Sequence, residues 1–157
     1  MPLPSDSGSF TLPRAGLEAG TLAPNFSLLD LTGTQRTLAE FRGKRVLLVF
    51  AGPECGPCQE LTPDLVRLHQ QHRTNNLEVV MVSRGGPEAN RTRAEKHGIT
   101  FPVLLQRHWE VSKQYATFFA PAGYLIDEQG IITKDVAIGA EGILHLASYA
   151  LADEKAS

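Results

Sequence analysis

Residues 45–51, RVLLVFA, are apolar at every position after the first. A strand with one wet face alternates polar and apolar residues, so an unbroken Val/Leu-rich run fits a strand buried on both faces. Such a strand needs a sheet covered on both sides. Residues 77–83, LEVVMVS, repeat the pattern. Between the two runs, Leu61, Leu65 and Leu68 recur at spacings of four and three, which predicts a helix over residues 55–72 with one apolar stripe. Pro63 lies inside it, removes a backbone donor and is expected to kink it.

The remaining segments extend this order. Residues 23–28 predict a short extended piece, 32–34 a turn, and 38–41 one helical turn ended by Gly43. Gly85-Gly86-Pro87 turns the chain into a polar helix over 88–97, closed by Gly98. A strand is expected over 101–105 and a short helix over 110–115. Residues 123–127 and 131–137 read as two strands joined by a hairpin turn at 128–130. The final helix, 141–151, is expected to turn Ile143, Leu144, Ala147 and Leu151 inward. Alternating elements of this kind argue for an α/β fold, a central mixed sheet with helices on both faces.

The chain has 157 residues, enough for one compact domain. Its 15 basic and 17 acidic residues leave a net charge of −2, which gives no electrostatic footprint for nucleic acid. No apolar run approaches the roughly 20 residues of a bilayer span. Residues 1–20 begin MPLPSDSGS and read as a flexible lead-in, leaving 21–157 as the domain. Two placements fit that terminus. The protein is extracytoplasmic, periplasmic or membrane-tethered, with a signal or anchor outside this sequence, or else it is cytoplasmic.

The chemistry gathers at the two cysteines, Cys55 and Cys58, in the segment CGPC. A bond between neighbours this close constrains the unfolded chain little, because that effect grows with loop length. Reversible redox chemistry or a metal is the stronger reading. A structural zinc wants four ligands, and there is no second cysteine pair. His69 and His72 lie three to four turns along the same helix and read as solvated polar positions, so no metal is expected. Cys55 follows a buried strand and opens a helix, where unpaired N–H groups and the helix dipole favour a thiolate. Cys55 is therefore the expected nucleophile. Cys58, a turn deeper, is the expected resolving thiol.

The segments LAPNFSLLDLTG, LAEFRGKRVLLVFAGPECGPCQEL, GITFPVLLQ and GYLIDEQGII resemble the redoxin branch of the thioredoxin superfamily. In particular they resemble TlpA-like thiol–disulfide oxidoreductases and the alkyl hydroperoxide reductase/thiol-specific antioxidant group. The resemblance covers about residues 20–150. It implies a thioredoxin-like fold and an enzyme that exchanges electrons with protein disulfides or dithiols. It also implies an upstream electron donor or acceptor, a monomer, and no cofactor. It places a cis-proline opposite the cysteines, at Pro121 or less favourably Pro102, and would leave the backbone of Ala120 open to pair with a substrate strand. Phe119 is a candidate apolar anchor beside it. Gly56 and Pro57 shape the turn between the thiols.

Three positions depart from the family pattern. Glu54 replaces the tryptophan that thioredoxins carry before the first cysteine; its carboxylate opposes a neighbouring thiolate, unless it carries protons or simply faces water. Val49 stands where thioredoxins bury an aspartate. Ser83-Arg84-Gly85 stands where TlpA-like proteins place a glutamate, so water is the simplest proton source for Cys58. Two alternatives share the fold. A peroxiredoxin-like peroxidase would orient peroxide with a proline and a threonine; Pro53 is present, but no threonine lies between Ala51 and Cys55. A copper-binding assembly module would use CxxxC and a histidine in the loop 115–122, which has none; His145 falls in the last helix.

Overall fold

A computed structural model describes residues 16–156. Among these, seven strands form one mixed sheet in the order β2-β1-β5-β4-β3-β6-β7. The strands are β1 (Ser27–Asp30), β2 (Gln35–Thr37), β3 (Arg45–Ala51), β4 (Leu77–Arg84), β5 (Val103–Gln106), β6 (Ala122–Ile126) and β7 (Ala137–Ile138). Helices α1 (Gly56–His72), α2 (Pro87–His97), α3 (Glu110–Tyr115) and α4 (Ala140–Ala156) connect or close them. β3, β4 and β5 run parallel, while β6 lies antiparallel on the other side of β3.

Both apolar runs are buried on both faces. Leu47, Val49 and Ala51 of β3 and Val79 and Met81 of β4 pack beneath α1 and α4, against Leu61, Leu65, Ile143 and Leu146. Val46, Leu48 and Phe50, with Val80 and Val82, face the opposite layer of Phe26, Leu38, Phe41 and α3's Val111 and Tyr115. Period-two alternation thus splits one continuous run between two cores. α1 runs through Pro63, and the Thr62 hydroxyl donates to the Cys58 carbonyl (2.7 Å). Gly98 ends α2 in the left-handed conformation.

Several expectations need correction. Residues 131–137 do not form a continuous strand. Ile131 and Ile132 make isolated bridges to Leu22 and Ile126, Lys134 and Asp135 are exposed, and only Ala137–Ile138 rejoins the sheet as β7. Residues 20–23 compete for the same hydrogen bonds: Gly20 and Ala23 donate to the Ile132 and Gly130 carbonyls, and Ile132 donates to Thr21. Leu144 is 38% exposed, because the inward face is set by Ile143, Leu146, Ala147 and Ala150. His69 is not solvated. It is 4% exposed, with Nε2 2.6 Å from Glu78, Nδ1 3.1 Å from Thr100 Oγ1, and its ring edge-on to Phe101. Strand β2 was not anticipated.

Most of the expected lead-in, residues 1–15, lies outside the described residues. Residues 16–20 are strapped to the body. Gly16 donates to the Ala116 carbonyl (2.8 Å), and Leu17 donates to the Tyr124 hydroxyl (2.9 Å). Gly16 needs its positive φ of 88° and its missing side chain, since a Cβ there would collide with that hydroxyl. No helix among the described residues is long and apolar enough to cross a membrane.

Candidate active site

β3 ends at Ala51, and Gly52-Pro53-Glu54 carries the chain to the start of α1. Cys55 occupies the N-cap: its carbonyl accepts the Gln59 N–H (3.1 Å), and its sulfur accepts the Cys58 N–H (3.1 Å). That sulfur takes the place of a serine or aspartate cap oxygen, which satisfies an otherwise orphaned donor at a helix end. Pro57 has no N–H to orphan, so its place in the first turn costs nothing there. The Cys55 N–H donates to the Gly52 carbonyl (3.3 Å), and the Gln59 side chain donates to the Pro53 carbonyl (3.0 Å); together these pin the turn.

Cys55 and Cys58 are joined as a disulfide, with their Cα atoms 5.2 Å apart. Their surroundings differ. Cys58 is 1% exposed and packs in the core beneath α1, whereas Cys55 is half-buried at the surface. Glu54, Gly56 and Pro57 are exposed around it. The Ala120–Pro121 peptide is cis, which answers the choice between Pro121 and Pro102. The Ala120 carbonyl oxygen lies 3.6 Å from Cys55 Sγ. The Ala120 N–H donates to no group among the described residues. Phe119 projects beside it, 57% exposed, and Pro121 is buried behind.

Residues 19–135 match the model of the AhpC/TSA family. The chain belongs to that family. Among curated relatives, the thiol-disulfide oxidoreductase ResA of Geobacillus thermodenitrificans is 33% identical over 127 residues, covering 80% of this chain and 73% of that one. The thioredoxin-like protein YneN of Bacillus subtilis is 30% identical over 135 residues, covering 83% and 78%. In three dimensions the chain is similar to the thioredoxin domain of a Bacteroides vulgatus thiol-disulfide oxidoreductase. The TM-score there is 0.76 at 23% identity, over 85% of this chain and 97% of that one. The fold is thioredoxin-like.

Several residues near the site were not singled out from the sequence. Trp109 and Phe118 are exposed, with ring centroids 5.9 Å apart and planes tilted by 41°, and the Arg84 guanidinium lies 4.7 Å over the Trp109 ring. The same guanidinium approaches Gly52, where a Cβ would come within 3.1 Å of it. Arg93 and Asn90 of α2 are buried behind the cysteine turn. α2 reads as polar on all sides, so no periodic signal marks those two residues as inward. Trp109 was the one available cue: it is the chain's single tryptophan, a residue type enriched at contact surfaces.

Proposed function

We propose that this chain is a thiol–disulfide oxidoreductase that exchanges electrons with protein disulfides through Cys55 and Cys58. The observation that carries the reading is the asymmetry of the pair: one sulfur caps a helix at the surface, and the other is sealed beneath it. In the reducing direction the Cys55 thiolate attacks a substrate sulfur, and the substrate disulfide breaks as a mixed disulfide forms. Cys58 then loses its proton to water and attacks Cys55 Sγ, releasing the substrate's second thiolate. The opposite direction runs the same steps in reverse.

The free Ala120 N–H and its carbonyl are suited to pair with an extended substrate segment, with Pro121 behind them and Phe119 as an apolar anchor. Gly56 and Pro57 keep the rim small, Glu54 is the carboxylate exposed on it, and the half-buried Arg84 is turned onto the Trp109 ring. A site of this kind suits a polypeptide better than a charged small molecule, which would want a nearby cation aimed at it. Residues 21–157 act as one domain and as a monomer, with a donor or acceptor of electrons upstream. The test compares two substrates. Phe119→Ser should slow insulin reduction severalfold while leaving reduction of a small aromatic disulfide nearly unchanged, since the small compound needs the thiolate and not the anchor. Equal loss on both substrates would contradict the docking role.

A further inference from the structure

Arg93 is a buried cation for which the thiol chemistry described above has no assigned use. It is 4% exposed and meets no carboxylate among the described residues. Its NH1 donates to the Gly52 carbonyl (3.1 Å). Its NH2 reaches Asn90 Oδ1 (3.0 Å), Ser83 Oγ (3.2 Å) and Met81 Sδ (3.2 Å), and its Nε has no partner. The acceptors are prearranged. The Asn90 amide donates to the Arg84 and Gly86 carbonyls (3.0 and 2.8 Å), which turns its oxygen toward Arg93. The Ser83 hydroxyl donates to that same oxygen (2.7 Å) and so presents its lone pairs to the guanidinium. Burial pushes the Arg93 pKa down, yet a guanidinium stays protonated at neutral pH. An interior charge held only by neutral acceptors is destabilising. A glutamine or methionine would fill the same space without that cost.

The position explains what the charge can serve. The Gly52 carbonyl that Arg93 holds is the one that also accepts the Cys55 N–H. Ser83 pairs with Ala51 across β3 and β4, and Met81 belongs to the same buried cluster as Cys58. Reduction of the disulfide creates a thiolate on this side of the sheet. The other charged groups near it are Glu54 and Glu60, both exposed, and Arg84, half-buried at the end of β4. On α2 itself, His97 is held below its ordinary value by burial, by Lys96 and by Arg93.

We propose that Arg93 is a positioning residue for the thiol chemistry: its buried, carboxylate-free guanidinium clamps the Gly52 carbonyl behind the cysteine turn and stabilises the thiolate of the reduced pair. The proposal rests on the oxidoreductase reading. Arg93 gives up no atom or electron. Two electrons pass from the Cys55/Cys58 dithiol to the substrate disulfide, the protein closes its own disulfide, and the cation acts only through its field and its hold on the turn. Stabilising the reduced thiolate makes a dithiol pair more oxidising. The same charge therefore biases the direction of electron flow toward accepting electrons.

The test follows thiolate absorbance against pH in reduced protein, together with the equilibrium constant against glutathione. In the wild type the first thiolate should form below about pH 7, within the range for helix-start CxxC thiols. R93Q should raise that midpoint by about one unit, the low end for losing a nearby opposite charge. It should also shift the glutathione equilibrium by up to about tenfold, near 30 mV, toward a more reducing pair. R93K, which keeps the charge, should stay close to wild type. A wild-type midpoint at or above about 8.5 would overturn the proposal even if R93Q failed to fold. So would a folded R93Q with an unchanged midpoint, or equal shifts in R93Q and R93K. Insulin reduction measured on the same samples separates the two claims. A wild type that reduces no protein disulfide, yet shows the Arg93-dependent midpoint, would sink the functional reading and leave the Arg93 assignment standing.

Discussion

An enzyme that cycles between disulfide and dithiol must stay folded in both states, and the structure sets a bound on how much reduction can cost. The bonded cysteines are separated by only three positions in the chain. For so small a loop the chain-entropy relation gives about 2 kcal/mol, against about 3 for a 15-residue loop. That figure is an upper bound. Once reduced, a Cys55 thiolate would keep the Cys58 N–H and gain from the helix end, which favours the reduced form. For a domain of this size each kcal/mol moves Tm by about 2–4 °C, so reduction should lower Tm by no more than about 8 °C. The two apolar layers on β3 and β4 should keep the reduced chain folded without the bond. Differential scanning calorimetry of oxidised protein and of protein reduced with a phosphine, at the same pH, measures the difference. Loss of the cooperative transition on reduction, or a fall beyond about 15 °C, would show instead that the bond is a structural staple.

Three further outcomes are expected. Glu54→Trp removes the one carboxylate beside Cys55 on the rim, so the Cys55 thiol should ionise at lower pH; an unchanged or higher midpoint by thiolate absorbance would mean that Glu54 does not act on the sulfur. Tyr124→Phe deletes a buried hydroxyl that accepts from Leu17, donates to the Tyr115 carbonyl (3.1 Å) and lies 2.6 Å from Thr117 Oγ1. It should cost about 1–3 kcal/mol in urea unfolding and raise amide exchange at residues 16–20. Burial alone would push Asp30 up, but hydrogen bonds from Thr32, Thr34 and Arg36 outweigh it and hold the carboxyl below its ordinary value. Its contribution is therefore present above the unfolded aspartate pKa and is lost as pH falls through the lower folded one. The stability gap between wild type and Asp30→Asn, read from urea midpoints, should be open at pH 6 and narrow below about pH 3.9.

What could be read from the chain follows from the range of the forces involved. RVLLVFA and LEVVMVS declare two doubly buried strands because burial on both faces leaves no polar position. CGPC at the following helix start declares the thiols because the spacing itself is the chemistry. The segment 131–137 misled because its β-branched residues favour a strand, whereas the outcome depends on residues 20–23, more than a hundred positions away, taking the same hydrogen bonds. His69 looked solvated because its partners Glu78, Thr100 and Phe101 arrive only through tertiary packing. Arg93 was hidden for a related reason: a helix that is polar all round gives no hint which polar residue is buried, and that depends on where the end of β3 lies.

Trapping of the mixed disulfide distinguishes the attacking thiol, Cys55, from the resolving one, Cys58. Cys58→Ser and Cys55→Ser variants, each reduced and mixed with oxidised insulin, are to be resolved by mass spectrometry without reductant. Cys58→Ser should give a protein–insulin adduct linked through Cys55, because no resolving thiol remains to release it, and Cys55→Ser little or none, since its remaining thiol is 1% exposed. Equal adducts from both variants, or an adduct through Cys58 alone, would contradict that assignment of roles.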